Sequence, residues 1–133
     1  MACVTTYLGE QEIFKRLLGI KTYTALKLKL YSDDRTPSKS DEVSQYTEIS
    51  GGGYTEITID PNDWTIASSS AATTAILAAQ IFSFTGTITR ITGYYITNTA
   101  EDVLIFAERF SDGPYENFAE STLQIDLTLS IPT

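Results

Sequence analysis

The cleanest alternation in the chain lies near its end. Leu123, Ile125, Leu127, Leu129 and Ile131 fall on one side; Thr122, Gln124, Asp126, Thr128 and Ser130 fall on the other. A period of two is the signature of a strand with one buried face. It predicts an integral C-terminal strand rather than a tail. Residues 24–31 alternate in the same way. Leu26, Leu28 and Leu30 oppose Lys27, Lys29 and Tyr31, which predicts a half-buried strand with a wet, basic outer face. The centre of the chain is ITGYYITNTAEDVLIFAERFSDGPY, residues 91–115. Two β-rich runs, 91–97 and 103–110, flank the polar loop 98–102, a hairpin signal. Ser111-Asp112-Gly113-Pro114 punctuates the backbone afterwards. Asp112-Gly113-Pro114 reads as a fixed turn that places Tyr115, with Gly113 its candidate for positive φ.

One segment departs from period two. In residues 7–19, Phe14, Leu17 and Leu18 stand at i, i+3 and i+4, with Leu8 and Ile13 near the same side. Glu10 and Glu12 precede Lys15 and Arg16, the order that suits a helix dipole. Gly19 is a natural stop. The apolar side of this helix can cover its own domain or dock on a neighbour; self-packing is the preferred reading. Residues 1–6 read as a mobile arm.

The remaining segments read as shorter strands. Candidates at 42–49 and 54–59 flank Ser50-Gly51-Gly52-Gly53, a flexible or bulged hairpin. Asp60-Pro61-Asn62-Asp63 is a turn, and Trp64 after it reads as a core plug. Residues 68–74 read as a small, polar surface loop. The alanines of 75–84 permit a helix. Ile76, Ala78, Gln80, Phe82 and Phe84 repeat every second position, so a strand is preferred. Gly93 marks a bulge in the β run 87–97. About eight strands, one short N-terminal helix and many threonines predict a mainly β fold, an antiparallel sandwich of jelly-roll-like form. The division is an arm and helix over 1–22 and a β-sandwich over 23–133.

Composition narrows the function classes. A chain of 133 residues with 42 % hydrophobic residues is one globular domain able to bury a core. No apolar run reaches the roughly 18 residues of a membrane span. No basic-then-apolar secretory pattern opens the chain. Cys3 is the only cysteine and histidine is absent, which removes a disulfide framework, the usual zinc ligands, and Ser-His or Cys-His catalysis. The net charge of −8 opposes nucleic-acid and anionic-membrane binding through a general field. It is uneven. Residues 1–39 hold seven Lys/Arg and four Asp/Glu, net +3; residues 40–133 hold two and thirteen, net −11. Such a split suits head-to-tail assembly as well as a soluble acidic domain.

Other chemistry is thin. Asp33-Asp34 reads as a solvated turn rather than half a metal site. Asp60 and Asp63 form a weak calcium pattern. The glycine run has no following helix and no Gly-Lys-Ser/Thr, so it is not a phosphate loop. Adjacent Glu108 and Arg109 point to opposite faces of a strand and make no acid–base pair. No cofactor and no catalytic residue are expected.

Several stretches in order resemble small structural proteins of tailed bacteriophages. They are an N-terminal helix, LKLKLYSDD with a Thr36-Pro37 loop, TEISGGGYTEITI with a Trp soon after, ITGYYIT, LIFAERFSDGPY and a closing alternating strand. The resemblance covers roughly residues 17–131. Ser50 to Tyr54 resembles the tail-fibre-like group, and Ala107-Glu108-Arg109-Phe110 the capsid-decorating group. It implies a non-enzymatic β-domain used in many copies within the virion, made in the host cytoplasm. The first expectation is a capsid decoration, or cement, protein bound to the major capsid protein or another virion subunit. The alternative is a tail or fibre component that recognises host glycans. Candidate partner contacts are Phe14, Lys15, Arg16, Leu17, Lys21, Lys27 and Lys29. Candidate surface-loop contacts are Tyr54, Trp64, Asp112, Gly113, Pro114 and Tyr115.

Overall fold

The computed structural model describes residues 3–22 and 25–132. Twelve strands, β1 to β12, and one α-helix, α1 (Tyr7–Leu17), are found among them. Thr24, the expected start of the first long strand, and residue 23, the expected domain boundary, lie outside the described residues, as do Met1, Ala2 and Thr133.

The C-terminal half is one long nested hairpin. Its tip is β8 (Gly93–Thr97) against β9 (Leu104–Arg109), the hairpin expected at 91–110. Behind the tip, β7 (Ile88–Ile91) pairs with β10 (Tyr115–Phe118). Next β6 (Gln80–Ser83) pairs with β11 (Thr122–Ile125), and β5 (Ala72–Leu77) with β12 (Thr128–Pro132). All four pairings are antiparallel. Ile88 faces Phe118, Ser83 faces Thr122 and Ile76 faces Thr128, so the register slips by one residue at each of these two breaks; at the tip, where Ile91 faces Tyr115 and Gly93 faces Arg109, it shifts further. Each one-residue slip is a bulge, which bends a ribbon and raises its twist. The two long alternating runs, 75–84 and 122–131, are therefore real but broken, at Ala78-Ala79 and at Asp126-Leu127.

The N-terminal half adds strands to this hairpin. β2 (Leu26–Tyr31) pairs with β8, and β3 (Ile57–Ile59) pairs with β2. The opening segment, expected as a mobile arm, supplies β1 (Val4–Thr5), which pairs with β9. The result is a five-stranded sheet in the order β1-β9-β8-β2-β3. Leu26, Leu28, Leu30, Tyr94, Ile96 and Phe106 of this sheet meet Leu77, Phe82, Ile88, Ile91, Ile125 and Leu127 of the nested ribbon in one core. β4 (Trp64–Ser68) pairs with the outer side of β5.

Three further expectations are corrected. Residues 42–49 form no strand; they contain a short 3-10 helix (Val43–Gln45) and one isolated bridge, Glu48 to Tyr31. The cause is local capping, with Glu42 N–H donating to Gln45 Oε1 at 2.8 Å. Of residues 68–74 only 69–71 form an exposed loop; Ser68 ends β4 and residues 72–74 open β5, the turn closed where Ser69 N–H donates to the Ala72 carbonyl at 2.9 Å. Small polar side chains satisfy a two-stranded edge as readily as a loop.

The third correction concerns the outer face of β2, which is not wet. Tyr31 is fully buried beside Tyr46 and Tyr95, with the Tyr31 and Tyr46 rings edge-on at 4.9 Å. Lys29 is 8 % exposed and lies 3.2 Å from Glu56, 3.3 Å from Glu101 and 3.6 Å from Glu48. Lys27 lies 2.5 Å from Glu56 and 3.3 Å from Glu101. Burial alone would depress the Lys29 ammonium. Its hydrogen bond to Glu56 and the surrounding carboxylates outweigh that and hold its pKa above the ordinary lysine value. The segment that follows β2 folds back over this face, so the sheet is covered on both sides.

Candidate functional site

α1 forms where its sequence signals place it. Thr6 is the N-cap, and its Oγ1 accepts from Gly9 N–H at 2.9 Å. The same hydroxyl donates to the Leu104 carbonyl, which ties the cap to β9. Lys15 and Arg16 occupy the last turn, and Gly19 ends the helix at φ +73°.

The helix is seated with its polar side inward. Its buried residues are Gly9 and Glu12. Gly9 lies directly against the backbone of Ile105 in β9, where a Cβ would stand 2.4 Å from the carbonyl oxygen. Glu12 is 2 % exposed. It accepts from Lys21 Nζ at 2.9 Å, with Lys15 at 3.6 Å and Arg16 at 3.7 Å. The Lys21 hydrogen bond is the largest influence on Glu12. With the cationic charges of Lys21, Lys15 and Arg16, it outweighs burial and holds the carboxyl below its ordinary range.

The apolar stripe consequently points outward. Phe14 is 62 %, Leu17 75 % and Leu18 68 % exposed, and Tyr7, Ile13 and Ile20 are exposed beside them. This overturns the preferred self-packing reading. The reason is close approach: the glycine lets the helix lie on the β9 backbone, and only the Gly9–Glu12 side fits there. The helix has 11 residues, about 17 Å of rise, too short to cross a bilayer core of about 30 Å.

A second apolar surface lies on the β-rich body. Ile66, Ala75 and Leu129 align across the strands β12-β5-β4. With Trp64 they face Leu26 and Phe106 of the five-stranded sheet across an open groove of about 370 Å³. Ile66 is 66 % exposed. No residue of α1 lines this groove.

The expected site residues separate into distinct groups. Phe14 and Leu17 share the outward face of α1. Lys15, Arg16 and Lys21 gather around Glu12 at its C-terminal half. Lys27 and Lys29 stand apart, engaged by glutamates on the back of β2. Tyr54 stacks on Phe82 at 5.7 Å, and its hydroxyl donates to Glu48 at 2.8 Å. Trp64 is half-buried in the groove wall rather than wholly in the core. Tyr115 stacks on Phe110 at 5.2 Å and donates to Asp112 at 2.6 Å. Burial, with Asp112 beside it, pushes the Tyr115 hydroxyl up to about 12. Gly113 does not take positive φ; the turn uses a cis Gly113–Pro114 peptide. Asp33 accepts from Thr47, and Asp34 lies 2.8 Å from Arg109 and 3.6 Å from Arg90, so both acids of that pair are engaged within the domain.

Sequence reading missed the groove residues Ile66 and Leu129 and the outward role of Leu18 and Ile20. Leu129 belongs to an alternation that reads as core. Nothing in the period tells that Leu129, packed against the core, is also left partly open to a groove. No protein-family model, curated protein or solved structure matches this chain.

Proposed function

We propose that this protein is a non-enzymatic structural subunit of a bacteriophage virion, a capsid decoration (cement) protein that binds and stabilises the major capsid shell. The observation that carries the reading is the inverted seating of α1. Phe14, Leu17 and Leu18 stand in water while Gly9 and Glu12 face the domain. Apolar area left in water forfeits about 25 cal/mol per Å², and a contiguous exposed apolar stripe marks an interaction surface. A helix laid on a groove through i, i+3 and i+4 anchors is a common mode of protein recognition. Lys15 and Lys21 flank the stripe, and charges at such a rim steer docking and fix register.

The nested hairpin over 72–132 supports the finer reading of the body as a jelly-roll-like antiparallel sandwich, an architecture that manages sheet edges by folding paired strands into two layers. The tail or fibre reading calls for free aromatic platforms. Tyr54 and Tyr115 are instead stacked and hydrogen-bonded within the domain, and of the three aromatic candidates Trp64 alone lines an open groove, which favours cement over glycan recognition.

The test mixes purified protein with shells that lack it and pellets them. The Phe14→Asp, Leu17→Glu double variant should keep its far-ultraviolet spectrum and lose loading. Normal loading by that variant overturns the docking role of α1. Density for the protein on the tail rather than the shell in particle images overturns the cement role.

A further inference from the structure

The chain carries two uncovered apolar surfaces of opposite shape. One is convex, the ridge of Phe14, Leu17 and Leu18 on α1. The other is concave, the groove floored by Trp64, Ile66 and Leu129. We infer that they are the two halves of one contact: α1 of one copy docks in the groove of a second copy. The inference rests on the reading of α1 as a docking helix and names its partner.

Charge supports a second copy as the occupant. Lys15 and Lys21, at the end of the helix and in the turn after it, are 42 % and 47 % exposed, while the exposed acid of the helix, Glu10, is already paired with Lys39 at 2.6 Å. The segments that build the groove wall, 60–77 and 126–132, contain Asp60, Asp63 and Asp126 and no Lys or Arg. Asp60 and Asp126 are exposed. Exposed lysines beside the apolar ridge thus meet a groove whose lining carries no cation and whose Pro61 has the exposed Asp60 next to it. Such complementarity disfavours the like-charged pairings, helix on helix and groove on groove. The ridge and the groove are different patches, so the contact is heterologous: it closes into a ring or runs as an open array, as its rotation dictates. Both forms suit a subunit present in many copies on one surface.

Trp64 is the only tryptophan of the chain and lines the groove, so it reports on occupancy directly. Acceptor copies carry Phe14→Asp, which spoils the helix ridge and keeps the groove and Trp64. Donor copies carry Trp64→Phe and Ile66→Glu, which make them dark, spoil their own groove and keep the helix. Mixing the two should shift the Trp64 emission to the blue and give one-to-one complexes by sedimentation velocity. Adding Phe14→Asp to the donor, or Ile66→Glu to the acceptor, should weaken that association about tenfold or more. Both changed positions are exposed, and the unchanged thermal midpoint of each variant is the folding control. No emission shift and no complex at concentrations up to about 1 mM overturns the inference. So does a complex that the donor change abolishes and the acceptor change leaves intact, which moves the acceptor surface elsewhere. Shell loading, measured separately, tells the two readings apart. A helix variant that fails to load while wild-type copies stay monomeric sinks the self-contact and keeps the docking helix. A helix variant that loads normally sinks the docking helix itself.

Discussion

Gly9 and Ile105 touch backbone to backbone. A Cβ on Gly9 would stand 2.4 Å from the Ile105 carbonyl oxygen and 2.8 Å from its Cα. That contact fixes which side of α1 faces the domain, and hence which side faces outward.

Replacing Gly9 with alanine sets two effects against each other. Alanine favours a helix interior by about 1 kcal/mol over glycine. The clash here is with strand backbone, which cannot rotate aside, and overpacking of this kind costs about 1–3 kcal/mol. Gly9→Ala should therefore destabilise the docked helix. Amide exchange should quicken across α1 and β1, while the exchange of β2 and β8 stays near wild type. A stabilised protein would show that the helix stands off the sheet.

Glu12 makes that seating dependent on pH. Its carboxyl is held below the ordinary range in the folded protein. A group depressed on folding stabilises the folded state above its unfolded pKa, about 4.3. That stabilisation is lost as pH falls through the lower folded value. Glu12→Gln leaves three cations with no carboxylate and should cost about 1–3 kcal/mol at neutral pH, the scale for hydrogen bonds to charged groups. Urea midpoints measured from pH 7 downward should fall for the wild type and converge on those of the variant in acid. Parallel curves would mean that Glu12 contributes no folding-linked proton.

Gly93, which opens β8, and Gly113, in the turn before β10, should behave differently. A Cβ on Gly93 would stand 2.1 Å from the Glu108 carbonyl oxygen and 2.7 Å from the Tyr31 ring, inside the hairpin at the centre of the fold. Gly93→Ala should cost about 3 kcal/mol or more, the upper end of overpacking. A Cβ on Gly113 would meet the Phe110 Cβ at 3.2 Å, with Tyr115 N at 3.5 Å and the Phe110 carbonyl oxygen at 3.7 Å in ordinary contact. Its φ is outside the left-handed region, so Gly113→Ala should change stability by about 1 kcal/mol or less. Equal costs in chemical denaturation would contradict this ranking.

Local signals carried the element types. The period-two run of Leu26, Leu28 and Leu30, the 98–102 loop between two β-rich runs, and the acid-before-base order of 7–19 each depend on neighbours within a few residues. All three appear in the structure as β2, the β8–β9 hairpin and α1. The capping of 43–45 and the β10 strand escaped notice because competing side-chain bonds and short length blur a period.

The candidate site depended on tertiary structure. The spacing of Phe14, Leu17 and Leu18 says that they share one side of a helix; it is silent on whether that side faces in. The answer came from a contact between residues 9 and 105, far apart in sequence. Lys29 likewise sits on the polar side of an alternating strand, yet Glu48, Glu56 and Glu101 converge on it from three separate segments and the chain covers it. Leu129 repeats like a core residue and packs against the core, yet it is only partly buried and also lines an open groove. A period reports which residues share a face. What covers that face is set by contacts between distant segments, and those appear only once the chain is folded.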